Sequence, residues 1–346
     1  MIFNKTLTYW YSINKRDFPW RNTRNPYLIW LSEIILQQTQ IKQGLPYYEA
    51  FVNRFPTIFH LAQAKESEVL KLWQGLGYYS RARNLHFTAK HIVEQFDGKF
   101  PDNYCNLLKL KGVGDYTASA IASICFDEPA AVVDGNVYRA LSRYFGIDTP
   151  INSNPGIKEY KTLATSLIDK ESPGDYNQAI MEFGATQCKP QNPDCSICPF
   201  NGSCVALQKG LIDKLPVKLK KNKVATKYFN FLVFISSDKK TLFEKRTSKG
   251  IWQNLYQFPL VETKTPLTIS NFQSHPSVMK HLQNNPCEFS LYNEVDVVHK
   301  LSHQHLHTKF WIIEVDELPK KSIPINELTK HPTSILISNF IDGFNF

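Results

Sequence analysis

Over residues 1–212 apolar side chains recur at helical spacing. The clearest runs are Tyr27–Gln40, Ser67–Trp73, Tyr116–Cys125, Val137–Phe145 and Tyr176–Gly184. Asn25-Pro26 reads as one helix start and Asp134 as another N-cap. The pattern predicts an all-α domain over 1–212. It then breaks: residues 213–227, DKLPVKLKKNKVATK, carry lysines and a proline with little apolar periodicity, and read as a linker. From Tyr228 the text changes again. YFNFLVFI (Tyr228–Ile235), SSDKK and TLFEKR predict strand–turn–strand, and HLHTKFWIIEV (His305–Val315) predicts a further strand. Residues 228–346 are therefore expected to form a separate α+β domain of about 120 residues, an ordinary domain size. The chain has no internal repeat and no low-complexity tract.

Composition sharpens this picture. The 346 residues are 42% hydrophobic, enough to bury two sizeable cores. No apolar run approaches the roughly 18 residues of a membrane helix. The opening MIFNKTLTYWYSINKRDFPW lacks the apolar core and small-residue cleavage site of a signal peptide. A cytoplasmic place is expected, where thiols stay reduced and clustered cysteines act as ligands. The net charge of +9 suits a polyanionic partner such as nucleic acid, although basic proteins are also simply soluble.

Four of the seven cysteines, Cys188, Cys195, Cys198 and Cys204, stand in CKPQNPDCSICPFNGSC with C-x6-C-x2-C-x5-C spacing. Four thiolates bind zinc tetrahedrally or hold an iron–sulfur cluster, and chemistry alone leaves both open. The uneven loop is awkward for a zinc ribbon. Cys105, Cys125 and Cys287 are isolated and read as small apolar fillers.

LLKLKGVGDYTASAIA (Leu107–Ala122) reads as helix, glycine turn, helix. Gly112 and Gly114 allow a tight hairpin whose bare amides, beside Lys109 and Lys111, can hold a DNA phosphate. The alternative is an ordinary helical hairpin with a glycine cap. Two carboxylates stand in unusual contexts. Glu33 has Ile29, Trp30 and Leu36 as helical neighbours. Poor solvation should raise its pKa and suit it to general-acid work. Asp134 precedes a helix, where capping and the helix dipole should keep it ionised. Opposite biases on two carboxyls mark an acid paired with an anionic partner.

This combination resembles the endonuclease III superfamily of DNA base-excision glycosylases over essentially all of 1–212. Finer motifs resemble the MutY-type adenine glycosylases: PWR (Pro19–Arg21), SEIILQQTQ (Ser32–Gln40), GLGYYSRARNL (Gly75–Leu85), LKGVGDYTA (Leu110–Ala118) and VDGNVYRALSR (Val133–Arg143). The resemblance implies an all-α helix-hairpin-helix glycosylase domain with a 4Fe–4S cluster loop, plus a C-terminal α+β Nudix-like domain. It implies that the four clustered cysteines ligate the 4Fe–4S cluster. Glu33 would protonate adenine and help activate water. Asp134 would stabilise the sugar cation or bond to it transiently, with Tyr116 and Asn136 orienting both carboxyls. Trp20 and Arg21 would serve the substrate. Gln38, Thr39 and Tyr78 would contact DNA, Gln38 and Tyr78 by wedging beside the partner base, and Gly112 and Gly114 through the hairpin. Bifunctional relatives carry a lysine nucleophile where this chain has Tyr116, which implies a monofunctional enzyme.

HKLSHQHLHTKFWI aligns with the place where the family reads 8-oxoguanine. Leu301-Ser302-His303 stands where relatives often have Phe-Ser-His, and Ser302 and His303 would contact the base. His303, His305 and His307 alternate, as a polar strand face or a metal site. No glutamate-rich Nudix helix follows Gly250–Glu262, so this domain is expected to recognise rather than hydrolyse. The implied partner is double-stranded DNA with adenine opposite 8-oxoguanine or guanine, bound by a nucleoid-associated monomer. Two competing readings are a glycosylase/lyase for oxidised pyrimidines, opposed by Tyr116, and a non-catalytic iron–sulfur DNA-binding protein, opposed by the presence of both Glu33 and Asp134.

Overall fold

The computed structural model describes residues 2–220, 224–282 and 287–346. It divides into two compact units, Met1–Gln63 with Asn84–Lys220, and Ala64–Arg83 with Lys221–Phe346.

The first unit is helical. At its centre lies the Asp115–Phe126 helix, whose buried positions are mostly small: Thr117, Ala118, Ser119, Ala120, Ala122 and Ser123. Small side chains let neighbours approach closely, and the Pro26–Leu36 and Pro173–Thr186 helices pack against it. Asn25 opens the Pro26–Leu36 helix as expected, its side-chain oxygen accepting from Tyr27 N at 2.9 Å. The helix does not run to Gln40. It stops at Leu36, because Gln38 takes a left-handed backbone (φ 54°) and Thr39 N closes the turn onto Leu36 O at 3.1 Å. The predicted runs around Ser67, Tyr116, Val137 and Tyr176 appear as the Glu66–Leu72, Asp115–Phe126, Gly135–Phe145 and Pro173–Thr186 helices.

Within the expected linker, Leu215 is buried and Leu219 exchanges hydrogen bonds with the Asn152 side chain, so this stretch lies on the helical unit. Its residues 221–223 fall outside the described residues.

The second unit is built on the Ala225–Ser236 strand. It pairs antiparallel with Leu260–Thr263 and parallel, along its whole length, with Gln304–Val315. Phe289–Leu291 and Val297–Lys300 pair antiparallel with Gln304–Val315 on its other side. The SSDKK turn forms, and the short Lys240–Thr241 strand follows it. Both edges of Ala225–Ser236 are already taken, and Lys240–Thr241 pairs instead with Ile323–Pro324. Leu232, Phe234, Val261, Phe272, Trp311 and Ile313 make one core. Within it Trp311 stacks on Phe272 at 4.1 Å and donates to Asn230 Oδ1 at 3.2 Å.

Two further expectations change. Cys105 is exposed rather than a buried filler, and Cys125 and Cys287 are only partly covered. His303 lies in the turn before the Gln304–Val315 strand, so the three histidines do not share a strand face. His305 and His307 do, and His307 Nδ1 pairs with Asp296 Oδ2 at 3.2 Å. Among the described residues no helix is long and apolar enough to cross a membrane.

Trp311→Ala removes a fully buried ring and an indole hydrogen bond. It should cost about 3–5 kcal/mol. Calorimetry should show a lowered unfolding transition for the second unit.

Candidate active site and cluster loop

The apolar Pro26–Leu36 helix carries Glu33 against the Asp115–Phe126 helix, and the Tyr116 hydroxyl meets the Glu33 carboxyl. Burial pushes Glu33 up to about 7. The hydrogen bond from Tyr116 opposes that rise, and the nearby Asp134 carboxylate adds to it. Tyr116 is itself held firmly neutral by burial and by the two carboxyls. Its oxygen also lies 3.2 Å from Met181 Sδ, a weak acceptor the hydroxyl can use when Glu33 carries its own proton.

Asp134 caps the Gly135–Phe145 helix. Its Oδ1 accepts from Asn136 N (2.9 Å) and Val137 N (2.8 Å), and its Oδ2 from Asn136 Nδ2 (2.9 Å). These donors and the Arg139 charge pull the carboxyl toward ionisation, yet burial outweighs them and its pKa stands above the ordinary aspartate value. The expected downward shift therefore does not survive desolvation. The asymmetry between the two carboxyls lies in their partners among the described residues: Asp134 has three donors and a guanidinium nearby, Glu33 a tyrosine hydroxyl.

Several side chains that frame this pair are not legible in the sequence. Arg139 Nη2 donates to Asn136 Oδ1 (2.9 Å) and Gly184 O (2.6 Å), and its Nε to Cys188 O (2.7 Å). Gly184 permits this closeness, since a methyl there would sit 2.7 Å from the Asn136 carbonyl oxygen. Buried Asn177 holds Val132 N, Ala130 O and Ser123 Oγ, which fixes the chain just before Asp134. Glu182 is 1% exposed and binds Arg16 Nε and Arg21 Nη2, each at 2.6 Å. Arg21 thus lies on a buried carboxylate. Trp20 is buried too, stacked on Phe18 at 5.1 Å and edge-on to Tyr48 at 5.1 Å. The Glu182 pairs span more than 160 residues and the Asn177 bonds about 50, beyond any local pattern.

The glycine hairpin forms as expected. Gly112 has φ 82° and leaves no room for a side chain, because a Cβ would lie 2.7 Å from Asn84 Cβ. Gly114 is the N-cap of the Asp115–Phe126 helix and faces open space. Lys109 and Lys111 are exposed beside it. Gln38 is exposed and follows the Glu33 helix, with Thr39 next to it. Gln38 and Tyr78 (φ 54° and 47°) both hold left-handed backbone, at a cost of about 1–3 kcal/mol each. Tyr78, Ser302 and His303 belong to the second unit. Ser302 and His303 form the exposed tip of a tight turn closed by Leu301 N to Gln304 O at 2.8 Å.

Cys188, Cys195, Cys198 and Cys204 line one cavity with Arg143, Tyr144, Phe183 and Phe200. Among the described residues no three His, Cys, Asp or Glu close on a single ion. Four thiolates around one cavity can hold an iron–sulfur cluster. Arg143 is 2% exposed and ties the loop down through Lys189 O (2.6 Å), Pro190 O (3.1 Å) and Leu215 O (3.1 Å), with Nη1 3.6 Å from Cys188 Sγ. Cationic donors beside the thiolates offset the negative charge that such a cluster brings.

Family profiles agree with this geometry. HhH-GPD superfamily base excision DNA repair proteins match residues 31–161, the NUDIX domain matches 230–343, and the iron–sulfur binding domain of endonuclease III matches 188–204. A 4Fe–4S cluster is accordingly the cofactor of this chain, and the second unit is Nudix-like. An adenine DNA glycosylase of Buchnera aphidicola subsp. Schizaphis graminum is 39% identical over 264 residues, 76% of each chain. Another, of Buchnera aphidicola subsp. Baizongia pistaciae, is 34% identical over 320 residues, 90% of this chain and 86% of that one. Among solved structures, a thermostable thymine-DNA glycosylase is similar at 32% identity and TM-score 0.56, over 60% of this chain and 96% of that chain. The chain belongs to the adenine DNA glycosylases, DNA-binding enzymes of base excision repair that hydrolyse the N-glycosidic bond of adenine.

Proposed function

We propose that this enzyme removes adenine paired with 8-oxoguanine, and less rapidly with guanine, after flipping the adenine out of the duplex, and that it does so without a lyase step. The observation that carries this reading is the Glu33–Tyr116–Asp134 group, in which one carboxyl holds a proton near neutral pH and the other is surrounded by donors.

Cleavage of the N-glycosidic bond leaves positive charge on the sugar and needs a proton on the departing base. Glu33, with a pKa of about 7, gives that proton to the adenine ring, so the base leaves neutral. The bonding electrons go to the base. The sugar cation is stabilised by, or transiently bonded to, the Asp134 carboxylate, in the same division of labour that two carboxyls share in glycoside hydrolysis. Glu33, now ionised, takes a proton from water as the oxygen joins the anomeric carbon. Tyr116 orients Glu33 and Asn136 orients Asp134. Tyr116 offers no amine, so no Schiff base forms at this position.

Cys188, Cys195, Cys198 and Cys204 hold the cluster, which shapes the loop that Arg143 ties down. Duplex backbone binds at the Gly112–Gly114 hairpin through amides and the charges of Lys109 and Lys111. Gln38 and Tyr78 wedge into the stack and Thr39 contacts the strand, holding the base out. Ser302 and His303, at the exposed turn, read the edge of 8-oxoguanine. Trp20, packed on Phe18 and Tyr48, and Arg21, paired with Glu182, shape the base pocket. The enzyme acts as a monomer on chromosomal DNA.

Single-turnover assays should release adenine fastest opposite 8-oxoguanine, more slowly opposite guanine and not opposite thymine, with the abasic strand intact until alkali is added. Equal rates opposite 8-oxoguanine and guanine would remove Ser302 and His303 as sensors, and nicking without alkali would restore a lyase. Glu33→Gln should lower adenine release by about 10²–10⁴-fold. The wild-type rate should fall as pH rises through about 7, where Glu33 loses its proton.

The same carboxyl affects stability. The folded state keeps its proton up to about pH 7, while an unfolded chain releases it near 4.5. Its contribution is therefore complete below about 4.5 and lost as pH rises through 7. The melting temperature of Glu33→Gln relative to wild type should climb across that window. A pH-independent difference would show that Glu33 titrates normally.

A further inference from the structure

Tyr78 is half exposed and sits on a strained stretch. Gly75, Gly77 and Tyr78 all have positive φ, at 101°, 73° and 47°. A tyrosine does not hold a left-handed backbone unless its surroundings impose it. Part of the brace is local: Trp73 Nε1 donates to Gly77 O at 3.0 Å, and the Arg81 guanidinium lies 5.0 Å from the Trp73 ring and 5.8 Å from the Tyr78 ring.

The rest comes from more than 250 residues along the chain. Gln74 Oε1 accepts from Thr333 N at 3.2 Å, and Gln74 Nε2 donates to Ser338 Oγ at 3.0 Å. Tyr79 Oη donates to Thr333 O at 3.0 Å and accepts from Gly75 N at 3.3 Å. Both backbone groups of buried Thr333 are thus gripped by the two side chains that flank the Gly75–Tyr78 turn. Lys71 Nζ reinforces the grip on Gln74 Oε1 (3.1 Å), and Arg83 Nη1 anchors the far end on Gln253 O (2.9 Å). Residues 64–83 accordingly form one compact unit with the Nudix-like fold.

We propose that Gln74 and Tyr79 are positioning residues that mount Tyr78 on the Nudix-like fold, so that the same rigid unit carries both the wedge and the Ser302–His303 turn. The wedge enters the stack in register with lesion reading because Thr333 holds its base. This inference rests on the proposed role of Tyr78 as a wedge.

The test uses the full-length, cluster-loaded enzyme and a duplex with adenine opposite 8-oxoguanine and 2-aminopurine next to the 8-oxoguanine. 2-Aminopurine brightens when unstacked. Tyr78→Ala should abolish most of the fluorescence rise on binding. Tyr79→Phe, which deletes only a hydroxyl, and Gln74→Leu should each lower the rise at least twofold at saturating enzyme. Ser338→Ala, a milder change on the opposite side of the clasp, should lower it in the same direction and guards against misfolding of the Gln74 variant. Circular dichroism and cluster absorbance identify folded protein. A full rise in folded Tyr79→Phe and Ser338→Ala, with the rise lost in Tyr78→Ala, overturns the clasp alone. A full rise in Tyr78→Ala overturns the wedge and the clasp together.

Discussion

The helical unit is organised around keeping two carboxyls away from bulk water within reach of one tyrosine hydroxyl. Desolvation is the largest influence on Glu33, Asp134 and Tyr116 alike, and it pushes all three toward their neutral forms. What separates the carboxyls is how many donors each receives. Glu33 sits on an apolar helix with Tyr116 as its hydrogen-bond donor. Asp134 sits at a helix start, where two amides and the Asn136 side chain point at it. A proton is therefore stored on the first and charge tolerated on the second, the division of labour on which the proposed mechanism rests.

Such burial is stable only where neighbours supply rigid partners. Three charged side chains do so from positions nearly closed to solvent. Arg139 joins Asn136 to the Cys188 carbonyl, Arg143 knits the cluster loop, and Glu182 gathers Arg16 and Arg21. Each is extensively hydrogen-bonded, as buried charge must be. Arg139 places the first cluster cysteine and the oriented Asp134 in one continuous set of hydrogen bonds. Deforming the loop would therefore disturb the hydrogen bonds that reach Asp134.

The second unit is Nudix-like. After the Leu260–Thr263 strand come two short helices, Ile269–Phe272 and Pro276–His281, neither of which contains a glutamate. What this unit offers is a rigid sheet, packed around Trp311, from which an exposed polar turn projects. For the proposed reading of a base edge by Ser302 and His303, a turn already ordered before binding spends less affinity on its own entropy.

Much of this was readable from the chain alone. The helical periodicity, the change of language after the lysine-rich stretch, the cysteine spacing, the glycine turn and the odd settings of Glu33 and Asp134 are local features, and each rests on a few adjacent residues. Local rules also misjudged some points. Helical spacing continued past Leu36, but Gln38 adopts a left-handed backbone that ends the helix. An N-cap aspartate should be acidic, but desolvation, which depends on everything packed around it, reversed the shift. Strand language after SSDKK predicted a strand but not its partner: residues more than twenty positions away occupy both edges of Ala225–Ser236, and Lys240–Thr241 pairs with Ile323–Pro324. Arg139, Asn177 and Glu182 read as ordinary helix residues because their partners lie dozens to more than a hundred and sixty positions off in the chain. The sequence determined which groups could do the chemistry. Only the tertiary structure decided which of them lose their water and whom they meet, because burial and long-range contact are properties of the packed whole.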